Sequence, residues 1–331
     1  MKVRCGNSSK TGKLCIFRLQ DERGAVLVFV VAALVVLLGL VALVTDVGIL
    51  YYCRSRLSNA ADAAALAGVR ELPGDVEKAR TKAKEYVGKN GFSDVDLDGD
   101  PVVSPDNKSI TVNLKHNQEL FFARILGRSS SYVGASATAK VGLLKGGKGV
   151  IPLGIDNDGY REGEEVLLKW DSKSEFDGQI YGVDDGLVKG WFGALDLDNI
   201  QGGGADEYRE RLINGYEDVL EWGDPIITEN GNMIGPTEEG IKARCAGHEK
   251  CTFDNHEEGC PRVVIVPVCE VVKIKNKVED LKVIGFAAMF LESIPDNKNE
   301  EVHGRFVKTI HPGEMDDTGT DYGVYTTALV R

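Results

Sequence analysis

Carboxylates and cysteines at short intervals are the residues of this 331-residue chain whose spacing suits chemistry. In Asp94-Val95-Asp96-Leu97-Asp98-Gly99-Asp100, carboxylates take the first, third, fifth and seventh loop positions with glycine sixth, the order that wraps oxygens around calcium. The twelfth position is Pro105, where an EF-hand has its bidentate Glu. An acidic turn between a helix and a strand accounts for the same residues. Asp94, Asp96, Asp98 and Asp100 are therefore candidate calcium ligands, and no other cofactor is expected.

Cys245, Cys251, Cys260 and Cys269 form the second cluster, an even number in a loop-rich stretch that suits two disulfides outside a reducing cytosol. Cys245–Cys251 with Cys260–Cys269 is one of three pairings, and spacing does not choose among them. Zinc competes, because Cys245-x2-His248-x2-Cys251 with His256 and Cys260 supplies enough ligands, though in no standard finger spacing. Free thiols in a reducing habitat are the third reading. The chain has no G-x-S-x-G, no H-E-x-x-H and no P-loop, and Gly202 to Gly204 is a lone glycine run. His116, His303 and His311 lie in strand or loop contexts without an evident partner. The chain is not expected to be an enzyme, and no small-molecule substrate is implied.

The elements that would position these groups start from an asymmetry of charge. Residues 1–24 carry six Lys/Arg against Asp21 and Glu22, so a net charge of −12 for the chain leaves −16 beyond position 24. An acidic domain of that size repels nucleic acid and anionic headgroups and has many carboxylates for divalent cations.

Between the basic tail and the acidic remainder, Ala25 to Val44 (AVLVFVVAALVVLLGLVALV) is twenty residues without a charge. At 1.5 Å per residue it spans about 30 Å, the thickness of a hydrocarbon core. A cleaved secretory signal fits poorly, since its apolar run is shorter and an A-x-A site follows it. The segment reads as a transmembrane anchor. Lys10, Lys13, Arg18 and Arg23 before it, against Arg54, Arg56 and Arg70 after it, place the N-terminus on the cytoplasmic side. Tyr51 and Tyr52 suit the far interface, and Asp46 reads as an interfacial residue rather than a member of a charge relay.

Ile49 to Leu72 has no proline and many alanines, so the same helix continues outward until Pro73-Gly74 stops it. Ala60, Ala64 and Gly68 form one stripe of small residues, with Ala61 and Ala65 beside it. Such a stripe lets another helix approach closely, or packs against the protein's own domain.

The run Glu22 to Gly68 (ERGAVLVFVVAALVVLLGLVALVTDVGILYYCRSRLSNAADAAALAG) resembles the N-terminal module of TadG-like proteins, in the TadE/TadG group of the Flp (tight adherence) pilus-assembly system. The matching elements are Arg23-Gly24, Val44 to Gly48 (VTDVG) and Leu57 to Gly68 (LSNAADAAALAG). Glu119 to Gly127 (ELFFARILG) and Ala135 to Val141 (ASATAKV) are similar to the later part of that module. The resemblance implies an envelope protein working with a secretion ATPase, polytopic assembly proteins and small pilins, and assigns no chemical activity. Some TadG-like proteins carry a von Willebrand A domain with a D-x-S-x-S metal site. Asp171-Ser172-Lys173-Ser174-Glu175 misplaces both serines, so no such domain is expected. Type IV pilins and TadE-like pseudopilins are cut after a glycine and carry Glu five residues later. Here the glycine is Gly24 and the fifth residue is Phe29, which points to an uncut chain.

Beyond the stalk, Asp75 to Gly91 reads as a helix, Ser109 to Lys115 and Tyr132 to Val141 as strands, and Leu120 to Leu126 as a short helix. Gly142 to Gly149 reads as a linker. Glu164 to Trp170, Val263 to Val272, Lys282 to Glu292 and Val302 to Ile310 are strand candidates, with one helix at Asp206 to Leu220. The expected fold class is α+β. Its parts are a basic cytoplasmic tail at 1–24, a transmembrane helix at 25–50, a helical stalk with a small α+β unit at 51–142, a linker at 143–150 and an exported, mostly β domain at 151–331. The expected function is pilus assembly or surface presentation at the cell membrane, with the membrane, assembly proteins and pilins as partners and no nucleic acid. A tethered adhesion module and a tethered secreted hydrolase are the rival readings.

Overall fold

The computed structural model describes residues 22–157, 161–169, 193–198, 204–229, 233–257, 259–274, 278–292 and 301–330. The basic tail up to residue 21, the D-S-K-S-E run at 171–175 and Gly202-Gly203 lie outside these residues. In chain order the helices are α1 (Glu22–Val69), α2 (Val76–Lys89), α3 (Gly204–Asn214) and α4 (Ile234–Cys245). The strands are β1 (Val102–Val103), β2 (Ser109–Glu119), β3 (Ser130–Gly147), β4 (Glu165–Lys169), β5 (Leu195–Asp196), β6 (Leu220–Glu221) and β7 (Pro225–Thr228). They continue with β8 (Val263–Ile274), β9 (Val278–Leu291), β10 (Val302–Val307), β11 (Thr309–Ile310), β12 (Gly313–Asp316) and β13 (Val324–Val330). This is the α+β class expected, with one long apolar helix followed by a largely β region.

The chain divides into two compact units, Met1–Arg56 with His116–Val133, and Leu57–Lys115 with Gly134–Arg331. The first contains the apolar part of α1 and the loop between β2 and β3. Leu120 N–H bonds the Ser129 carbonyl at 3.0 Å and closes that loop, which turns through a 3₁₀ segment at Ala123–Leu126 and ends on Gly127 at φ +85°.

The second unit is built on two sheets. One runs β1-β2-β3-β13-β11, with β12 and β6 also on β3; the other runs β4-β10-β9-β7-β5, with β8 on β9. β9 is the spine of the latter, with β8 along one edge and β10 and β7 sharing the other. Its run Phe286 to Leu291 is wholly buried because alternate residues enter two cores. Ala287, Met289 and Leu291 join Tyr208, Leu212 and Ile241 of α3 and α4, whereas Phe286, Ala288 and Phe290 join Leu144, Leu220 and Val324 of the first sheet. A strand covered on both faces loses the polar half of its alternation, and this is why the segment reads as continuously apolar.

Two expectations are corrected here. The stretch expected as a linker is strand: β3 continues to Gly147, pairing with β13, β12 and β6. Its glycines are close-approach positions, since a Cβ on Gly142 would lie 2.6 Å from Met315 Cγ and one on Gly146 2.8 Å from Glu221 Cγ. The C-terminal strand β13 thereby joins the sheet begun by β1 to β3, so the chain does not divide into two bodies at residues 143–150. The second correction is α4, a helix beyond the single one expected. Gly235, Pro236 and Gly240 hide it in sequence, and Gly240 is there because a Cβ would meet Leu212 Cβ at 2.7 Å.

Candidate membrane anchor and its apolar collar

Every Val, Leu and Phe from Val26 to Val44 is 54–76% exposed, so no protein surface covers this stretch of α1. Within the 48-residue α1, a stretch of this length whose apolar residues face outward all round has the form of a membrane span rather than a core helix. Among the described residues it is the one helix long and apolar enough to cross a bilayer.

Two residues past Val44 stands Asp46, only 6% exposed. Its Oδ1 accepts from the Phe121 N–H at 2.9 Å and the Phe122 N–H at 3.2 Å; its Oδ2 accepts from Phe122 at 3.1 Å and Ala123 at 2.6 Å. One carboxylate therefore satisfies three successive amides that start the 3₁₀ turn, which otherwise have no partner in that turn. The partnership compensates the desolvation of the charge. Asp46 is thus a buried structural tie at the end of the apolar stretch, a role its sequence context did not reveal.

The tied loop turns apolar groups outward. Phe121 is 71% exposed, Phe122 40% and Ile125 84%. Tyr51 and Tyr52 on α1 and Tyr132 on β3 are exposed in the same unit. Large apolar and aromatic side chains left uncovered beside the end of a hydrophobic span make a collar suited to the lipid–water interface, where rings with one polar end are favoured. In sequence the collar is legible only as short helix and strand fragments, because Asp46 and Phe121 are 75 residues apart.

The small-residue stripe is placed differently. Ala60, Ala61, Ala64 and Ala65 are fully buried. A Cβ on Gly68 would lie 2.8 Å from the Ala79 carbonyl and 3.2 Å from Ala83 Cβ, both on α2, and 2.9 Å from Ile110 Cδ1 on β2. Ala60, Ala64 and Gly68 therefore serve packing within the protein's own second unit rather than approach by another chain.

The four aspartates do not converge. Asp96 accepts from Ser93 N–H at 2.9 Å and Ser93 Oγ at 3.1 Å, closing a capping box on a single 3₁₀ turn. Asp100 pairs with Lys84 at 2.7 Å, a bond that holds its carboxyl below the usual range. Asp94 and Asp98 join no cluster of metal-ligand atoms among the described residues. Two of the four carboxylates, Asp96 and Asp100, are thus engaged by local partners, as in an acidic turn.

The cysteines separate too. Cys269 is buried in β8, its Sγ 3.7 Å from the Pro267 carbonyl, and Cys245 is buried at the end of α4. Both stand as thiols, as do Cys251 and Cys260. The suggested Cys245–Cys251 and Cys260–Cys269 pairing is not the one the fold brings together: Cys251 and Cys260 approach each other, with His248 beside them.

Sequence reasoning also missed a buried ionic cluster. Arg211 of α3 pairs with Asp196 at 3.2 Å and with Asp198 and Glu207. Burial, reinforced by the neighbouring Asp198, pushes the Asp196 carboxyl up to about 6. The alternating Asp196-Leu197-Asp198 is the one local signal, and its partner on α3 is not visible from it. His303 lies 3.1 Å from both Glu165 and Glu301, so it has the acidic partners its sequence context did not reveal.

No curated protein and no solved structure matches the chain. Residues 24–71 match the family model Tad, described as "Putative Flp pilus-assembly TadE/G-like". The matched segment covers the exposed apolar stretch, Asp46 and the buried alanine stripe, so α1 carries a TadE/G-like module from its membrane-suited end to the packed end.

Proposed function

We propose that this chain is a single-pass envelope protein acting in assembly or surface presentation of Flp-type pili through protein–protein contacts. The N-terminal tail lies in the cytoplasm and the folded remainder lies outside the membrane. The reading rests on one observation: the TadE/G-like helix leaves its apolar side chains wholly uncovered over a membrane's thickness, and a collar of apolar side chains is fastened at the end of that stretch by Asp46. Phe29 stands five residues after Gly24, where a filament subunit carries Glu, and this supports an uncut anchor. A carboxylate missing from an apolar helix bundle leaves a neighbour's N-terminal amine without its partner, a costly arrangement in a filament.

Deleting the gene tests the proposal. Loss of surface pili and of adherence, restored by the full chain in trans, is the expected result. Normal piliation in the deletion strain contradicts it.

A further inference from the structure

A segment in the second unit brings three metal-binding side chains to one point. His248 follows the end of α4, Cys251 lies three residues on, and Cys260 lies just before β8. Their donor atoms lie within 4.8 Å of one another, and His248 Nδ1 is 3.9 Å from Cys251 Sγ. Three donors on one zinc, at about 2.0–2.3 Å each, stand roughly 3.5–4 Å apart, so the observed separations need only a small contraction.

The loop around them is fixed from behind. Two turns hold the first ligands in register, His248 N–H to the Cys245 carbonyl at 2.9 Å and Cys251 N–H to the His248 carbonyl at 3.1 Å. Arg262 donates to the Cys251 carbonyl at 2.7 Å, while its Nε bonds the Leu291 carbonyl of β9 at 2.9 Å. A backbone braced in this way keeps ligands in place before a metal arrives.

Of the wider zinc set suggested by sequence, two members are excluded by geometry. His256 turns Nδ1 to the Phe253 carbonyl at 2.8 Å and its ring toward Phe290, and Cys245 is enclosed in the apolar core with Ile241. A disulfide between Cys251 and Cys260 would use the two sulfurs but give no role to the imidazole nitrogen set against them. Two thiolates with one imidazole suit zinc by ligand softness.

We infer that His248, Cys251 and Cys260 bind one zinc ion, which staples Cys260, just before β8, to the turns that follow α4. Binding releases one proton from each thiol, giving two thiolates and a neutral imidazole that donates the Nδ1 lone pair while Nε2 keeps its proton. Solvent completes the coordination, since His248 and Cys251 are only half-buried.

The test uses the full chain purified in detergent without chelators. Elemental analysis should give one zinc per chain, and the cobalt-substituted protein should show thiolate-to-metal charge-transfer absorption. Because the His248 side chain is partly exposed, His248→Ala should fold and bind zinc at least about tenfold more weakly in a chelator competition. Zinc well below one equivalent in the wild-type chain overturns the inference. So does stoichiometric copper in place of zinc, or a peptide joining Cys251 and Cys260 with the mass loss of two hydrogens in unreduced protein.

Discussion

Gly39 and Gly68 lie on the same helix, yet a Cβ added at the first meets nothing within 4 Å and one added at the second lies 2.8 Å from a backbone carbonyl oxygen. The difference runs through the whole of α1. From Val26 to Val44 every Val, Leu and Phe is uncovered; from Leu57 to Val69 the fully buried side chains are Ala60, Ala61, Ala64 and Ala65, with Leu57 and Val69 at the ends. Side-chain size tells which solvent each half is built for. Lipid tails accept Leu and Val on every face, whereas close packing on α2 and β2 admits only side chains that leave room for a neighbouring backbone.

Putting charge into the first half should produce the largest effect. Val35→Arg with Leu38→Arg, near the middle of the apolar run, should disfavour membrane insertion by about 5–7 kcal/mol, since each centrally placed Arg costs about 2.5–3.5 kcal/mol. Fractionation should then find the chain outside the membrane pellet. Retention there would mean that this half is covered by protein instead of lipid.

A smaller effect sharpens the contrast between the halves. Gly68→Leu forces a side chain against Ala79 and Ile110 and should destabilise the second unit by about 3 kcal/mol, read as a lower melting temperature in detergent. Gly39→Leu should leave the melting temperature unchanged, because the added side chain enters open space. Equal responses at the two sites would erase the distinction.

The smallest effect compares how the two units bury a carboxylate. Asp46 is met by three backbone amides, whereas Asp196 shares one guanidinium with Asp198 and Glu207. The Asp196 pKa is raised from 3.8 to about 6, so between these values the folded chain holds a proton that the unfolded chain has released. Stability should therefore fall as pH rises from about 4 to about 6. Asp196→Asn, which cannot ionise, should remove that slope in melting curves taken across this range. An unchanged slope would place its origin in another group.

Much of this architecture was legible where a single face decides the pattern. The apolar span, the helix that follows Asp75 and the alternation of β2 each follow from local burial. The misread regions are those where a distant partner sets the residue. Gly142, Gly146 and Gly240 look like linker or breaker residues until Met315, Glu221 and Leu212 arrive beside them. The tie made by Asp46 is hidden because nothing near it in sequence indicates Phe121 to Ala123. The aspartate run matched a calcium loop in order but not in space, as Ser93 and Lys84 occupy two of its four carboxylates. For the cysteines, composition indicated a cluster, and only the fold separates Cys269 and Cys245 from the group that meets His248.

Whether the exposed half of α1 rests in a bilayer or in a filament is decided most directly at Gly24. N-terminal sequencing of the protein recovered from membranes should show residues 1–24 retained, with the chain absent from sheared filaments. A mature N-terminus at Ala25, with the protein in the sheared fraction, would contradict the anchor and make this chain a minor pilin.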